Sequence, residues 1–363
     1  MIILNYKGYK ELSKQMKRLS FLLFFSFIML SCKKEKEPLR TFNTIKITDF
    51  KQDSTSIRAI LAISNNELVF AGSKGDITMT KDGGKTWKTQ SLKYKDSIIP
   101  HFRSIAKNGE NIFALSVANP ALLYKGNEKG YELVYTEEHE KVFYDCIKFF
   151  ADGKHGIAVG DPTEGCPSII LTSDGGHTWK KLPCSQLPIF KEGEAFFAAS
   201  NTNIAIVNNT VWIGSGGTKA RILKSTDFGN TWEIFDTPIV QGDGPQGIYS
   251  IDFYDKNNGI AIGGNYSKPE DNCANKAITT DGGKTWTLVA DNMNPNYKSC
   301  VQYVPNTNGK EIFAVGKTGI SFSNDGGHTW KEVSNENYYA IQFVNSSIAW
   351  LSGHEKIGRL ILN

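Results

Sequence analysis

From Thr41 onward the apolar residues fall in short runs bounded by Gly, Asn, Asp and Ser, and no stretch keeps the period of an amphipathic helix. Five runs vary one theme: Val69-Phe-Ala-Gly72, Gly156-Ile-Ala-Val-Gly160, Val211-Trp-Ile-Gly214, Gly259-Ile-Ala-Ile-Gly263 and Ile312-Phe-Ala-Val-Gly316. Their β-branched and aromatic content predicts buried strands. An apolar run precedes each, a third follows, and a fourth leaves from a Trp or Tyr. Units of four strands are therefore expected at Ser56–Leu92, His101–Glu137, Val142–Leu182, Glu194–Thr237, Gly247–Asp291 and Tyr297–Ser334. Three further strands, Tyr338–Val344, Ile348–Gly353 and Lys356–Leu362, end the chain one strand short of a unit. The stretch Thr41–Thr48 is a strand without a unit, and pairing it with those three completes a seventh and removes two open sheet edges.

Between third and fourth strands one turn recurs: Thr80-Lys-Asp-Gly-Gly-Lys-Thr-Trp87, Thr172-Ser-Asp-Gly-Gly-His-Thr-Trp179, Ser225-Thr-Asp-Phe-Gly-Asn-Thr-Trp232, Thr279-Thr-Asp-Gly-Gly-Lys-Thr-Trp286 and Ser323-Asn-Asp-Gly-Gly-His-Thr-Trp330. The Asp accepts hydrogen bonds from backbone N–H groups ahead of it, and the Gly supplies positive φ. The Trp opens the returning strand and covers the turn, so each of the five is expected to be largely buried. Gly126–Tyr131 is a decayed copy. The pattern resembles the Asp-box, or bacterial neuraminidase repeat, of sialidases, sortilin-type receptors and photosystem II assembly factors, over nearly the whole chain after residue 40. The resemblance implies an all-β, seven-bladed β-propeller, with its ring closed by the N-terminal strand joining the last blade. It also implies that Asp82, Asp174, Asp227, Asp281 and Asp325 hold outer turns and catalyse nothing.

The first 31 residues read as a targeting segment: Met16-Lys-Arg18 is basic and Leu22–Leu30 is apolar but short for a bilayer span. Met16 is an alternative start. Ser31-Cys32 then resembles a bacterial lipoprotein processing site, which makes Cys32 the lipidated residue, residues 33–40 a tether and 41–363 a single domain in the bacterial envelope. Residues 1–31 carry five of the 41 Lys/Arg and one of the 37 Asp/Glu, so the remainder has no formal net charge. A nucleic-acid footprint is not expected.

Topology places B–C loops and blade-to-blade connections on one face and Asp-boxes on the other. The long irregular segments, Gly160–Ser168, Pro183–Glu194, Pro238–Gly247 and Gly263–Ala277, all fall on the first face, the expected binding side. Aligned first strands put Arg58, Arg103, Asp145, Phe197, Tyr249, Ser299 and Tyr339 around a channel mouth suited to an anion or a peptide. Asp161, with Glu164, Glu270 and Asp271, lies on the same face. The six His lack metal-ligand spacing, and no Gly-rich phosphate loop opens a helix, so neither metal nor cofactor is expected. Cys146 and Cys300 hold equivalent first-strand positions as small apolar residues. Cys166 and Cys184 lie at adjoining strand ends where a disulfide can form, and Cys273 lacks a partner.

A sialidase-like glycoside hydrolase would need an Arg triad and a Tyr–Glu pair. The chain after residue 31 has five Arg (40, 58, 103, 221 and 359), and Ser56-Ile-Arg-Ala59 lacks the Pro of the sialidase signature. The expected function is a monomeric, non-catalytic, lipid-anchored scaffold that binds a protein, a peptide or a glycan on its loop-rich face, with the glycosidase as alternative.

Overall fold

Short strands, not one continuous sheet, build this protein, a computed structural model that describes residues 39–42 and 44–362. Cys32 and the rest of the predicted targeting segment lie outside the described residues. Thr41–Asn363 forms one compact unit. Its strands fall into six hydrogen-bonded antiparallel sheets among the described residues, four of them of four strands each. Phe102–Asn108, Asn111–Ser116, Ala121–Asn127 and Gly130–Glu137 form one such set in chain order.

The Ile-Ala-Val strands take the middle of each set because they are apolar on both faces. Leu68–Gly72, Gly156–Gly160, Gly259–Asn265 and Ile312–Gly316 are buried throughout. The fourth strands, such as Lys88–Ser91, are mostly exposed.

The chain ends meet in a seven-stranded sheet. One strand, Lys46–Ala62, serves both halves of it. Lys46–Lys51 pairs with His354–Ile361 outside Ile348–Ser352 and Ala340–Phe343, while Ile57–Ala62 pairs with Leu68–Gly72. The pairing breaks between Lys51 and Ser56, where Ser54 takes φ 62°. The N-terminal strand thus begins at Lys46, not at Thr41, and runs on into the first strand of the next set. Phe42 packs instead against Phe313 and Phe322, with ring centroids 6.4 and 4.9 Å away.

The fourth set departs most from expectation. Its first strand is Ile204–Val207, not the apolar stretch near Phe197. The earlier residues Glu194–Ala195 pair with Gly216–Gly217, which adds a two-strand ribbon to the neighbouring sheet.

Each repeated turn closes as its chemistry requires. Asp281 Oδ1 accepts from the Thr285 backbone N–H at 3.0 Å and Oδ2 from the Thr285 hydroxyl at 2.6 Å. Asp82, Asp174, Asp227 and Asp325 make the same pair of bonds to Thr86, Thr178, Thr231 and Thr329. The second Gly of each turn lies against another set: Gly176 against Phe113, Gly283 against Trp212, and Gly84 against Phe50. In the third copy Phe228 replaces the first Gly and still takes φ 63°. Its ring stacks on His155 at 4.2 Å, a contact Gly could not make.

The five Trp residues all pack against the core, though unequally. Trp286 is 8 % exposed, but Trp87, Trp179, Trp232 and Trp330 are half-buried. Each Trp immediately precedes a fourth strand at the outer edge of its set, and Trp87 and Trp179 still pack on Phe50 and Phe70 and on Phe113 and Phe149.

Candidate functional site

A shared irregularity aims the predicted mouth residues. The first strand of four sets slips by one residue against its partner between Ile57 and Ala59, Phe102 and Ser104, Tyr144 and Cys146, and Ile248 and Ser250. The extra residues are Arg58, Arg103, Asp145 and Tyr249. A bulge re-aims its side chain, and here the same bulge recurs at the same height. Ser299 and Tyr339 hold the matching place, their N–H groups donating to Val315 and Ser352 carbonyls at 2.9 and 2.6 Å.

Arg58, Arg103, Tyr249, Ser299 and Tyr339 line one cavity of about 430 Å³. Asp145 and Asp161 do not line it. Asp145 is fully buried, and Asp161 accepts a hydrogen bond from the Phe196 N–H at 2.7 Å.

The floor is the segment Phe196–Thr202. Phe197 lines the cavity, but from this inserted segment and not from a first strand. Arg58 Nη1 donates to the Ala199 carbonyl at 3.1 Å, and Ser200 Oγ to the Ser299 carbonyl at 2.6 Å. Asn201 donates to the Ile105 carbonyl at 2.7 Å and accepts from the Ile147 N–H at 3.1 Å. Thr202 and Ser250 hydroxyls lie 2.7 Å apart. The segment is thereby fixed to the first strands of five other sets. Beneath it lies a separate polar space of about 80 Å³ bordered by Lys148, Asp252 and Gln302.

The cavity is electropositive. Arg58, Arg103 and Lys317 line it, and no carboxylate does. The Arg58 guanidinium stacks on Tyr339, 4.0 Å from the ring centroid. Nε of both arginines is buried without a partner, and among the described residues no protein group accepts from the Arg103 guanidinium. Burial, reinforced by Arg58, lowers the Arg103 pKa. Burial and then the two arginines depress that of His101. Burial drives the Asp145 carboxyl well above its usual range, with Asp161 adding to the effect and Arg103 opposing it. Asp161 is pushed up to about 6 by burial.

One wall is aromatic. Phe197 and Tyr249 stack at 3.9 Å and 5°, and Tyr297 meets Tyr249 edge-on at 4.9 Å. Tyr266, 48 % exposed, stands at the rim. Tyr266, Tyr297 and Lys317 were not among the predicted mouth residues. Tyr266 lies in the Gly263–Ala277 segment and Tyr297 two residues before Ser299, so loop length and strand ends were the available signals.

The four long segments form one connected surface beside the mouth. Backbone bonds run from the Phe190 N–H to the Gly165 carbonyl at 3.1 Å, from Val240 to Ala274 at 2.7 Å, and from Tyr266 to Pro245 at 3.3 Å. Thr218 and Gly242 N–H groups, bonded to Gly193 and Gly217 carbonyls at 3.1 and 3.0 Å, link the remaining pair. Cys166 and Cys184 are joined in a disulfide within this surface. Arg221, bonded to both oxygens of buried Glu194 at 2.9 and 2.5 Å, ties it to the fourth set. Cys146 and Cys300 are buried, and Cys273 is exposed.

Repeated four-stranded sets, five of them carrying this turn between third and fourth strands, give the fold of an Asp-box β-propeller. Residues 277–288 match the BNR/Asp-box repeat model. No curated protein matches the chain significantly. Among solved structures, YCF48 bound to D1 peptide is similar at TM-score 0.64 and 15 % identity, covering 90 % of this chain and 99 % of that one. YCF48 from Cyanidioschyzon merolae matches at TM-score 0.63 and 14 % identity, with 87 % and 98 % covered. Virginiamycin B lyase from Staphylococcus aureus matches at TM-score 0.63 and 13 % identity, with 88 % and 100 % covered. The resemblance to the photosystem II assembly-factor type therefore holds at the level of fold, a fold shared with an enzyme.

Proposed function

We propose that this protein is a non-catalytic scaffold, lipid-anchored in the bacterial envelope through Cys32, that binds a protein or peptide segment in the Arg58/Arg103 cavity. The observation that carries this is a concave site with an aromatic wall, cationic donors lacking partners, and a floor fixed by hydrogen bonds. A protein of similar fold has been solved with a peptide bound, which supports a peptide over a small metabolite.

The scaffold is read as seven blades in a closed ring. Supporting this, the first strands of successive sets touch in chain order, and the strand Ala340–Phe343 of the last set touches Lys46–Ala62. The contact of Gly84 with Phe50 repeats between the two chain ends the interlock seen between neighbouring sets.

The sialidase-like alternative is not favoured by the site. Arg221 is committed to Glu194, Arg359 lies over Trp350, and no Glu lines the cavity to pair with its tyrosines. The test is quantitative partner capture by two double variants. Arg58→Ala/Arg103→Ala is expected to weaken capture by more than about 2 kcal/mol with an unchanged melt. Lys85→Ala/Lys284→Ala, exposed on the Asp-box turns, is expected to leave it unchanged. Equal loss from both would reject the assigned face, and turnover of a sialoside would favour the enzyme.

A further inference from the structure

The cavity is closed at its inner end. Phe196–Thr202 crosses beneath it and is bonded to five other sets, and the polar space below is separate. A chain cannot thread through, and one that enters must end there or double back. The volume, about 430 Å³, sits toward the small end of ligand cavities, which run roughly 300–1,000 Å³. A doubled-back segment would need more room and would bring extra backbone polar groups into a wall that is largely aromatic.

The donors point to what the end carries. No protein group accepts from the Arg103 guanidinium among the described residues, and the buried Asp145 carboxyl makes no hydrogen bond to it. Buried guanidinium donors without acceptors are costly unless a ligand supplies the acceptors. Arg58 keeps its guanidinium over the Tyr339 ring with one nitrogen spent on the Ala199 carbonyl, leaving its other terminal nitrogen available. Two planar forks match a two-oxygen anion better than a point charge does. The Phe197, Tyr249 and Tyr297 rings beside them offer apolar surface to a side chain adjoining that anion.

We propose that the cavity captures the C-terminal residue of a polypeptide, with its α-carboxylate on Arg58 and Arg103 and its side chain against the Phe197/Tyr249/Tyr297 wall. This rests on the peptide-binding reading above and narrows it from any segment to a free chain end. Lys317, at the rim, faces the residues that precede the terminus.

The test uses the purified full-length protein and a fluorescein-labelled hexapeptide pool of mixed sequence ending in Phe, Tyr or Leu. The same pool is prepared as free acids, as C-terminal amides, and as amides with Glu as the fourth residue. Free acids are expected to bind at least tenfold more tightly than either amide pool by fluorescence anisotropy. Arg103→Gln is expected to remove most of that preference. Amides binding as tightly as acids, with binding still lost in Arg58→Ala/Arg103→Ala, would overturn the terminal-carboxylate claim and leave the peptide site standing. Recovery of binding in the Glu-containing amides alone would move the carboxylate to a side chain and overturn it too. Binding by none of the pools would overturn this proposal and the peptide reading together. The acid–amide comparison on the unaltered protein decides the matter even if the Arg103 variant does not fold.

Discussion

At Gly176 a single hydrogen atom in place of a methyl group keeps two sets together. The residue holds φ +86°, and a Cβ there would lie 2.4 and 2.5 Å from two carbons of the Phe113 ring. Gly165 has a similar φ of +82° but open space around it. Gly165→Ala is therefore expected to cost about 1 kcal/mol, the left-handed penalty alone. Gly176→Ala is expected to cost more than about 2 kcal/mol, and denaturant melts that found the two equal would contradict the interlock. Titration also separates residues by environment. Asp82 and Asp281 are held at about 2 in the folded protein, against 3.8 unfolded. Hydrogen bonds from Thr86 depress Asp82, and for Asp281 those from Thr285 outweigh burial. Their stability is complete above about pH 4 and lost as pH falls through 2. Burial instead lifts Asp161 and Asp252 to about 6, so their contribution is complete below 3.8 and lost as pH rises through 6. Replacing that pair by Asn is expected to flatten the pH 4–6 limb of the melting curve and spare the acid limb. Asp82→Asn/Asp281→Asn is expected to do the converse, and matching profiles would reject the assignment.

Within each element, position in the sheet decides energetics more than residue type. Trp286 is buried beside Phe253, at 6.0 Å edge-on, whereas Trp330 in the same motif is half-buried. Trp286→Ala is expected to cost about 3–5 kcal/mol and Trp330→Ala clearly less, measured by urea unfolding. Equal losses would show that the turn itself, and not burial, sets the cost. The same level explains what the sequence made legible. The Ile-Ala-Val strands recur closely enough to align the units, and that alignment put Arg58, Arg103, Tyr249, Ser299 and Tyr339 at one height. Because four first strands slip at the same point and Ser299 and Tyr339 hold the matching place at the ends of two others, ignoring the bulge did no harm. Phe197 was misplaced because Phe196-Phe-Ala-Ala199 has the apolar character of a first strand, while the actual strand Ile204–Val207 is only four residues long. No local pattern separates an apolar insertion from an apolar strand; the hydrogen bonds of Ala199, Ser200, Asn201 and Thr202 to five other sets do so. Arg103's lack of an acceptor and the partial exposure of four Trp residues are likewise tertiary facts, since both depend on what other units bring near.

For the whole molecule, the two faces carry different chemistry. The Asp-box face presents turns whose Asp and Thr groups are already bonded to one another. The other face presents a connected set of long loops around a cationic, aromatic, blind cavity, with Tyr266 at its rim. The central claim is that partners are held there. It is tested most directly by site-specific photo-crosslinking in the native host. A photo-reactive phenylalanine replaces Tyr266 in one strain and Lys284 in another. Discrete crosslinked partner bands from position 266, abolished by adding Arg58→Ala/Arg103→Ala, with none from position 284, are the expected result. The same bands from position 284, or bands from 266 that persist without the two arginines, would contradict the account.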